Sequence, residues 1–271
     1  MKNHLHKRTA MAMVCASAAL LLQACGGGGS DGGSSFGPAA GAPASTAATP
    51  APTDTASVNA FKPGAAPRFQ LVNTRFQLSS GLGAFTQQKD GAMTDLNGTK
   101  LTGQTKVEDI SGDSSFALGR WVGGPANTIS GPQALTGVGR GTYHYAVYNV
   151  LENLPVSGSF QCDGGAFSAP TSDSQIGSAS GNATLSFTDT GAVVGGQINV
   201  ASGSASASAT LSTSGLAAKA YGTTGDYEER GSGAYLQVAE AGNGAYALVG
   251  RYRAVMPDGV AYVGVFRFAC K

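Results

Sequence analysis

The stretch that most constrains this chain is its C-terminal end, where two alternating runs flank a turn. Tyr246, Leu248, Gly250 and Tyr252 alternate with Ala247, Val249, Arg251 and Arg253. Pro257-Asp258-Gly259 follows, and then Tyr262, Gly264, Phe266 and Phe268 alternate with Ala261, Val263, Val265 and Arg267. A period of two puts neighbouring side chains on opposite faces of an extended strand, and Pro-Asp-Gly supplies the reversal. The two runs therefore read as a β-hairpin. Both faces of its last strand carry bulk, so both are expected to be partly covered.

The same grammar recurs upstream. Residues 183–187, 193–200 and 205–211 read as a meander, and 142–149 and 156–162 as two strands separated by Leu154-Pro155. Residues 68–79, 100–108 and 115–122 read as earlier strands. Residues 203–214 are small except for Leu211, a thin apolar face that suits a crowded barrel interior or an edge. Helix patterns are nearly absent; a short helix over 215–220 is the one candidate. Glycine accounts for 41 of 271 residues, without the three-residue period of collagen. Charged residues make up 12% and apolar ones 42%, which excludes a polyelectrolyte-type disordered chain. Short strands between abundant glycine turns indicate a sandwich or barrel.

The N-terminus carries an address. Lys2, Lys7 and Arg8 precede an apolar stretch from Ala10 to Leu22, the layout of a secretory signal peptide. The stretch is shorter than the roughly 20 residues a membrane-spanning helix needs. Leu22-Gln23-Ala24-Cys25 then resembles the lipobox of bacterial lipoproteins. That resemblance implies cleavage after residue 24 and acylation of Cys25, several chains giving a stable anchor where one would be marginal. Gly26, in place of the Asp that holds enterobacterial lipoproteins in the inner membrane, implies the outer membrane. Cleavage removes three of the 17 basic residues and none of the 16 acidic ones, turning the formal charge from +1 to −2. No basic field then exists to hold nucleic acid.

Residues 25–60 are dominated by Gly, Ser, Ala, Thr and Pro, with Phe36 the only aromatic. Such a segment buries too little apolar surface to offset its chain entropy and reads as a disordered tether. Its root-mean-square reach is roughly 30 Å or more. The expected organisation is a signal peptide over 1–24, a lipidated linker over 25–60 and a β-rich head over 61–271.

Within the head, Arg120-Trp121-Val122-Gly123-Gly124 is followed by Gly141-Thr142-Tyr143-His144-Tyr145-Ala146-Val147 and Leu154-Pro155-Val156-Ser157-Gly158-Ser159-Phe160. Gly181-Asn182-Ala183-Thr184-Leu185-Ser186-Phe187 and the Gly195-Gly196-Gln197-Ile198 strand come next. This order, over about residues 115–271, resembles the barrel of transferrin-binding-protein-B-like bacterial outer-membrane lipoproteins. The resemblance implies an all-β head: an antiparallel eight-stranded up-and-down β-barrel with additional N-terminal strands. It also implies binding of a host or envelope protein partner, in host iron or haem acquisition. The chain has Gly231-Ser232-Gly233-Ala234-Tyr235-Leu236 where true transferrin binders carry a Gly-Gly-Phe-Tyr-Gly-Pro-type segment, so transferrin itself is not implied.

Cys15 leaves with the signal and Cys25 takes lipid, which leaves Cys162 and Cys270 in an oxidising compartment. A disulfide between them is expected, the alternative being two free buried thiols. The one histidine beyond the signal is His144. It reads as a structural hydrogen-bonder, with a pH switch or a haem ligand as the sharper alternatives. No metal-ligand cluster or cofactor motif is visible. No nucleophile elbow supports a hydrolase, and Asp226, Glu228 and Glu229 read as a solvated loop rather than a carboxylate pair. Trp121 and the tyrosines read as packing rather than as stacking platforms. Arg251, Arg253 and Arg267 read as the solvent face of the hairpin, with a small anion-binding patch as the alternative. The chain is thus expected to be a non-enzymatic, outer-membrane-anchored binding lipoprotein with its ligand site unknown. A structural or adhesive envelope module and a periplasm-facing solute binder are the rivals.

Overall fold

The computed structural model of the chain describes residues 58–271. The signal segment, Cys25 and the linker as far as residue 57 lie outside the described residues. The described chain is all-β, with antiparallel pairing throughout and no α-helix.

The strands form three sheets. The first contains β1 (Pro67–Val72), β2 (Gln77–Gly81), β3 (Phe85–Gln87), β4 (Met93–Leu96), β5 (Thr99–Leu101), β6 (Lys106–Gly112), β7 (Phe116–Thr128), β8 (Gly131–Leu135) and β9 (Tyr143–Asn149). The second contains β10 (Gly158–Gln161), β12 (Ser178–Thr188), β13 (Gly191–Ser202) and β14 (Ala205–Leu216). The third contains β11 (Ala166–Phe167), β15 (Gly222–Gly225), β16 (Gly233–Glu240), β17 (Tyr246–Val255) and β18 (Ala261–Cys270).

The hairpin read from the sequence is β17–β18, paired from Tyr246↔Cys270 to Val255↔Ala261. Its alternation explains the layering. Leu248, Tyr252, Ala254, Tyr262, Phe266 and Phe268 share one face and pack with Leu185, Val194, Ile198 and Leu211 of the second sheet. Ala247, Val249 and Val265 share the other face and pack with Val72, Phe116, Leu118, Ala146 and Tyr148 of the first sheet. The third sheet is therefore the middle layer, covered on both faces, as its two-sided bulk requires. A third core lies on the far face of the first sheet, where Trp121, Tyr143 and Tyr145 meet Met93 and Leu96 of β4. There the indole Nε1–H of Trp121 donates to the Met93 carbonyl at 2.7 Å, so its polar end is satisfied inside the core.

Two glycines are required by tyrosine rings. Gly264 stands opposite Tyr252 in β17–β18, and a Cβ there would lie 2.5 Å from the tyrosine hydroxyl. Gly119 stands opposite Tyr145 in β7–β9 in the same relation. In each pair the buried ring covers its cross-strand glycine, a pairing that restores packing a bare glycine would lose.

Several expectations are corrected. The strand read over 68–79 is two strands, because the Asn73 side chain accepts from the Arg75 and Phe76 amides and turns the chain between β1 and β2. The candidate helix over 215–220 is absent: β14 runs to Leu216, and a turn closed by Ala220 N–H to the Ala217 carbonyl follows. The tryptophan strand β7 and the His-Tyr strand β9 pair with each other, and β9 pairs on its other side with β1, all in the first sheet and not with the strands after residue 158. The ladders make three separate sheets rather than one closed cycle. Cys162 and Cys270 form a disulfide with S–S 2.07 Å, linking the end of β10 to β18.

Candidate functional site

The face between the first and third sheets is unusually polar for a protein interior, and its groups divide into three sets. The first set is a buried relay centred on Tyr148. Tyr148 Oη accepts from Gln70 Nε2 at 3.0 Å and donates to Gln237 Oε1 at 2.7 Å, linking β1, β9 and β16. Burial raises the Tyr148 phenol well above its ordinary value, which keeps it a neutral donor.

The second set surrounds Arg120, which is 2% exposed. A bulge in β6 between Glu108 and Ser111 brings Asp109 inward, with φ at 55°. Arg120 Nε donates to Asp109 Oδ2 at 2.8 Å, and the two terminal nitrogens donate to Glu108 Oε2 and the Gly137 carbonyl. The guanidinium is fully matched by carboxylates, as a buried charge requires. His144 stands opposite Arg120 across β7–β9. Its Nδ1 lies 2.8 Å from Ser168 Oγ and its Nε2 2.8 Å from Thr171 Oγ1. Burial, reinforced by the Arg120 charge, lowers its pKa to about 3, so the ring is neutral. Both nitrogens are engaged and the ring is fully buried. His144 is a structural hydrogen-bonder here; neither a switch near neutral pH nor an open haem ligand fits this geometry.

The third set is open. It lines a cleft of about 970 Å³ bounded by Thr74, Arg75 and Gln77 from the first sheet and by Tyr227, Glu228, Arg230, Tyr235, Arg251 and Arg253 from the third. The Asn73 turn presents Thr74 and Arg75. The loop from β15 to β16 presents Tyr227, Glu228 and Arg230, and is pinned by Asp226 N–H to the Ser232 carbonyl and Gly231 N–H to the Asp226 carbonyl. Arg251 and Arg253, two apart on β17, point to the same side of the sheet. They face this cleft rather than solvent, which corrects the solvent-face reading, and Arg251 is only 7% exposed. Arg267 belongs elsewhere: it lies over the Phe116 ring and 3.8 Å from Asp163, in a separate recess beside the disulfide.

Four guanidiniums and one carboxylate, Glu228, line the cleft. Among the described residues, none of the four arginines has a carboxylate at ion-pair distance. Arg251 is held by neutral groups alone: Nε donates to Tyr227 Oη at 2.7 Å and Nη1 to Ser79 Oγ at 2.5 Å. Its guanidinium lies 4.1 Å over the Tyr235 ring, whose other side is stacked by Tyr221 at 4.5 Å. Arg68 closes the column over Tyr221 at 5.3 Å. Arg253 Nε is buried with no hydrogen-bond partner among the described residues. Burial above all, with the nearby Arg230 charge, lowers the Arg253 pKa. The contrast with Arg120 is chemical. There two carboxylates answer one buried cation; here one nearly buried cation, Arg251, meets only hydroxyls and rings.

Asp226, Glu228 and Glu229 are exposed in the β15–β16 loop, as the solvated-loop reading expects. Trp121 is wholly buried and is core. No pattern in the sequence marks Thr74, Gln77 and Tyr235 as cleft residues. The one available signal was the Arg-x-Arg spacing on a strand face otherwise filled by Ala247 and Val249. Neither a family model, nor a curated protein, nor a solved structure matches the chain.

Proposed function

We propose that the chain is an outer-membrane lipoprotein, anchored through acylated Cys25, whose β-rich head binds a ligand or partner rather than transforming one. The observation that carries the binding reading is the nearly buried Arg251 without a carboxylate, at the wall of a cleft with room for a ligand. The cleft offers no activated nucleophile, because the one histidine beyond the signal is committed to Ser168 and Thr171.

The eight-stranded barrel belongs to this proposal. The four strands of the second sheet and β16 to β18 of the third share one core, and β15 lies beside β16 at the edge of the third sheet. At one edge Asp163 N–H donates to the Ala269 carbonyl and Lys271 N–H to the Gln161 carbonyl, flanking the disulfide. At the other edge Thr224 Oγ1 of β15 donates to the Thr210 carbonyl of β14. These contacts support a flattened barrel, with the first sheet laid against its outer face.

Two measurements test the proposal. Metabolic labelling with a palmitate analogue should mark the chain and fail with Cys25→Ala. Purified chain immobilised on beads should then retain a saturable ligand from envelope extract or serum. A labelled chain that retains nothing from either source would favour a purely structural module.

A further inference from the structure

We propose that the cleft between the first and third sheets binds a small polar molecule carrying two or more tetrahedral oxyanion groups, phosphate or sulfate, on a hydroxylated frame such as a sugar. This deepens the binding reading above and rests on it.

The charge argument comes first. Arg75, Arg230, Arg251 and Arg253 outnumber Glu228 four to one along the cleft wall. The only other nearby carboxylate that bears on Arg253 is Asp173, and Thr74 Oγ1 already donates to it at 2.6 Å. Guanidinium groups present rigid forks of donors that match oxyanions in paired hydrogen bonds. Arg253 sets one such fork on this face of β17, and Arg251, two residues away on the same face, adds its Nη2 while Tyr227 and Ser79 hold its Nε and Nη1. The partnerless Arg253 Nε supplies a buried donor that an oxyanion would satisfy.

The lining then narrows the frame. Aliphatic side chains are absent from the wall, which is built of Thr, Arg, Gln, Glu and Tyr. The aromatic rings offer little stacking surface. Tyr235 is covered on one face by Arg251 and on the other by Tyr221. Tyr227 is 8% exposed and spends its hydroxyl on Arg251. A nucleobase or a porphyrin needs an open ring face or an apolar slot and finds neither here. Hydroxyl groups, by contrast, meet Thr74 and Gln77, which both donate and accept, and the Glu228 carboxylate, which accepts, at the cleft rim. A volume of about 970 Å³ exceeds what one free oxyanion fills.

Calorimetric titration of the chain tests this with four probes: sucrose octasulfate, inositol hexakisphosphate, citrate and sucrose. Saturable binding is expected for the first two, with at least tenfold weaker binding for citrate and none for sucrose. Raising salt should weaken it. Arg253→Met with Arg230→Met should reduce affinity at least tenfold, while Lys89→Met, an exposed site away from the cleft, should not. Arg251 is kept intact because it holds Tyr227 and Ser79; circular dichroism should show both variants folded. Equal affinity in the double variant, or no binding of either polyanion, overturns the proposal. If beads still retain a ligand while both polyanions fail, the oxyanion assignment falls and the binding reading stands. If neither occurs, both fall.

Discussion

Cys162→Ala with Cys270→Ala should lower the unfolding free energy by about 2–5 kcal/mol, the usual cost of losing a native disulfide. The linked positions are 108 residues apart, close to the loop length for which chain entropy alone gives about 4.7 kcal/mol. The location adds to the effect. The bond ties the short β10 to β18, and β10 is otherwise paired only with β12. Without it, the Asp163–Ala269 and Lys271–Gln161 backbone bonds must hold the edge of the second sheet to the third. Phe160, packed on Phe187 and Tyr246 from the two sheets, would be loosened with them. Urea unfolding of the oxidised chain, the reduced chain and the double variant measures this. The reduced chain and the double variant should share a lowered midpoint; an unchanged midpoint in both contradicts the account.

His144 should make the fold acid-sensitive from pH 6.5 downward. The folded ring is neutral with a pKa of about 3, whereas the unfolded ring binds a proton near 6.5. Below 6.5 the unfolded state therefore takes up a proton that the folded state refuses, and stability falls as pH falls. The contribution is complete above 6.5, declines by up to about 1.4 kcal/mol per pH unit, and levels off near pH 3. Between pH 7 and pH 5 the loss is about 2 kcal/mol, a window in which most carboxylates are still ionised. Glu108 adds to the loss only at lower pH. Its pKa is lowered by the Lys106 hydrogen bond and the Arg120 charge, so its stabilisation is lost as pH drops through the carboxylate range. Proton NMR of the His144 ring should show no titration from pH 8 to pH 5. His144→Gln should flatten the pH dependence over that window, whatever its absolute stability. A ring that titrates near 6.5 would contradict the buried, doubly bonded histidine.

The parts of this fold that were legible in the sequence are those written in local alternation. The β17–β18 hairpin, the β12–β13–β14 meander and the Cys162–Cys270 pairing follow from period, turn residues and cysteine count. Alternation says which side chains share a face but not what covers that face. Arg251 and Arg253 were visible as neighbours on β17, yet a solvent face and an interlayer cleft look alike until the first sheet is placed. The layering depends on β9 pairing with both β1 and β7, a long-range choice carried by no short pattern. His144 has partners in Ser168 and Thr171, which sit in an irregular stretch after β11 with no periodicity to announce them. Asp109 reaches Arg120 only through a bulge, and a bulge shifts the very register that sequence reading counts on.

The same contrast explains why the candidate site escaped notice. A buried arginine that meets its carboxylates, as Arg120 does, completes a core. An arginine buried against tyrosines, as Arg251 is, has no carboxylate at ion-pair distance among the described residues. Only the three-dimensional partner list separates the two, since both residues sit on apolar strands with similar neighbours in sequence.

The central claim is that this cleft, and not the recess beside Arg267, is where the head meets its ligand. Arginine side-chain Nε–Hε NMR during titration with inositol hexakisphosphate addresses it directly. Saturable shifts are predicted for Arg251 and Arg253, with Arg120 and Arg267 unmoved. Shifts confined to Arg267, or spread evenly over exposed arginines with Arg251 and Arg253 silent, would contradict it.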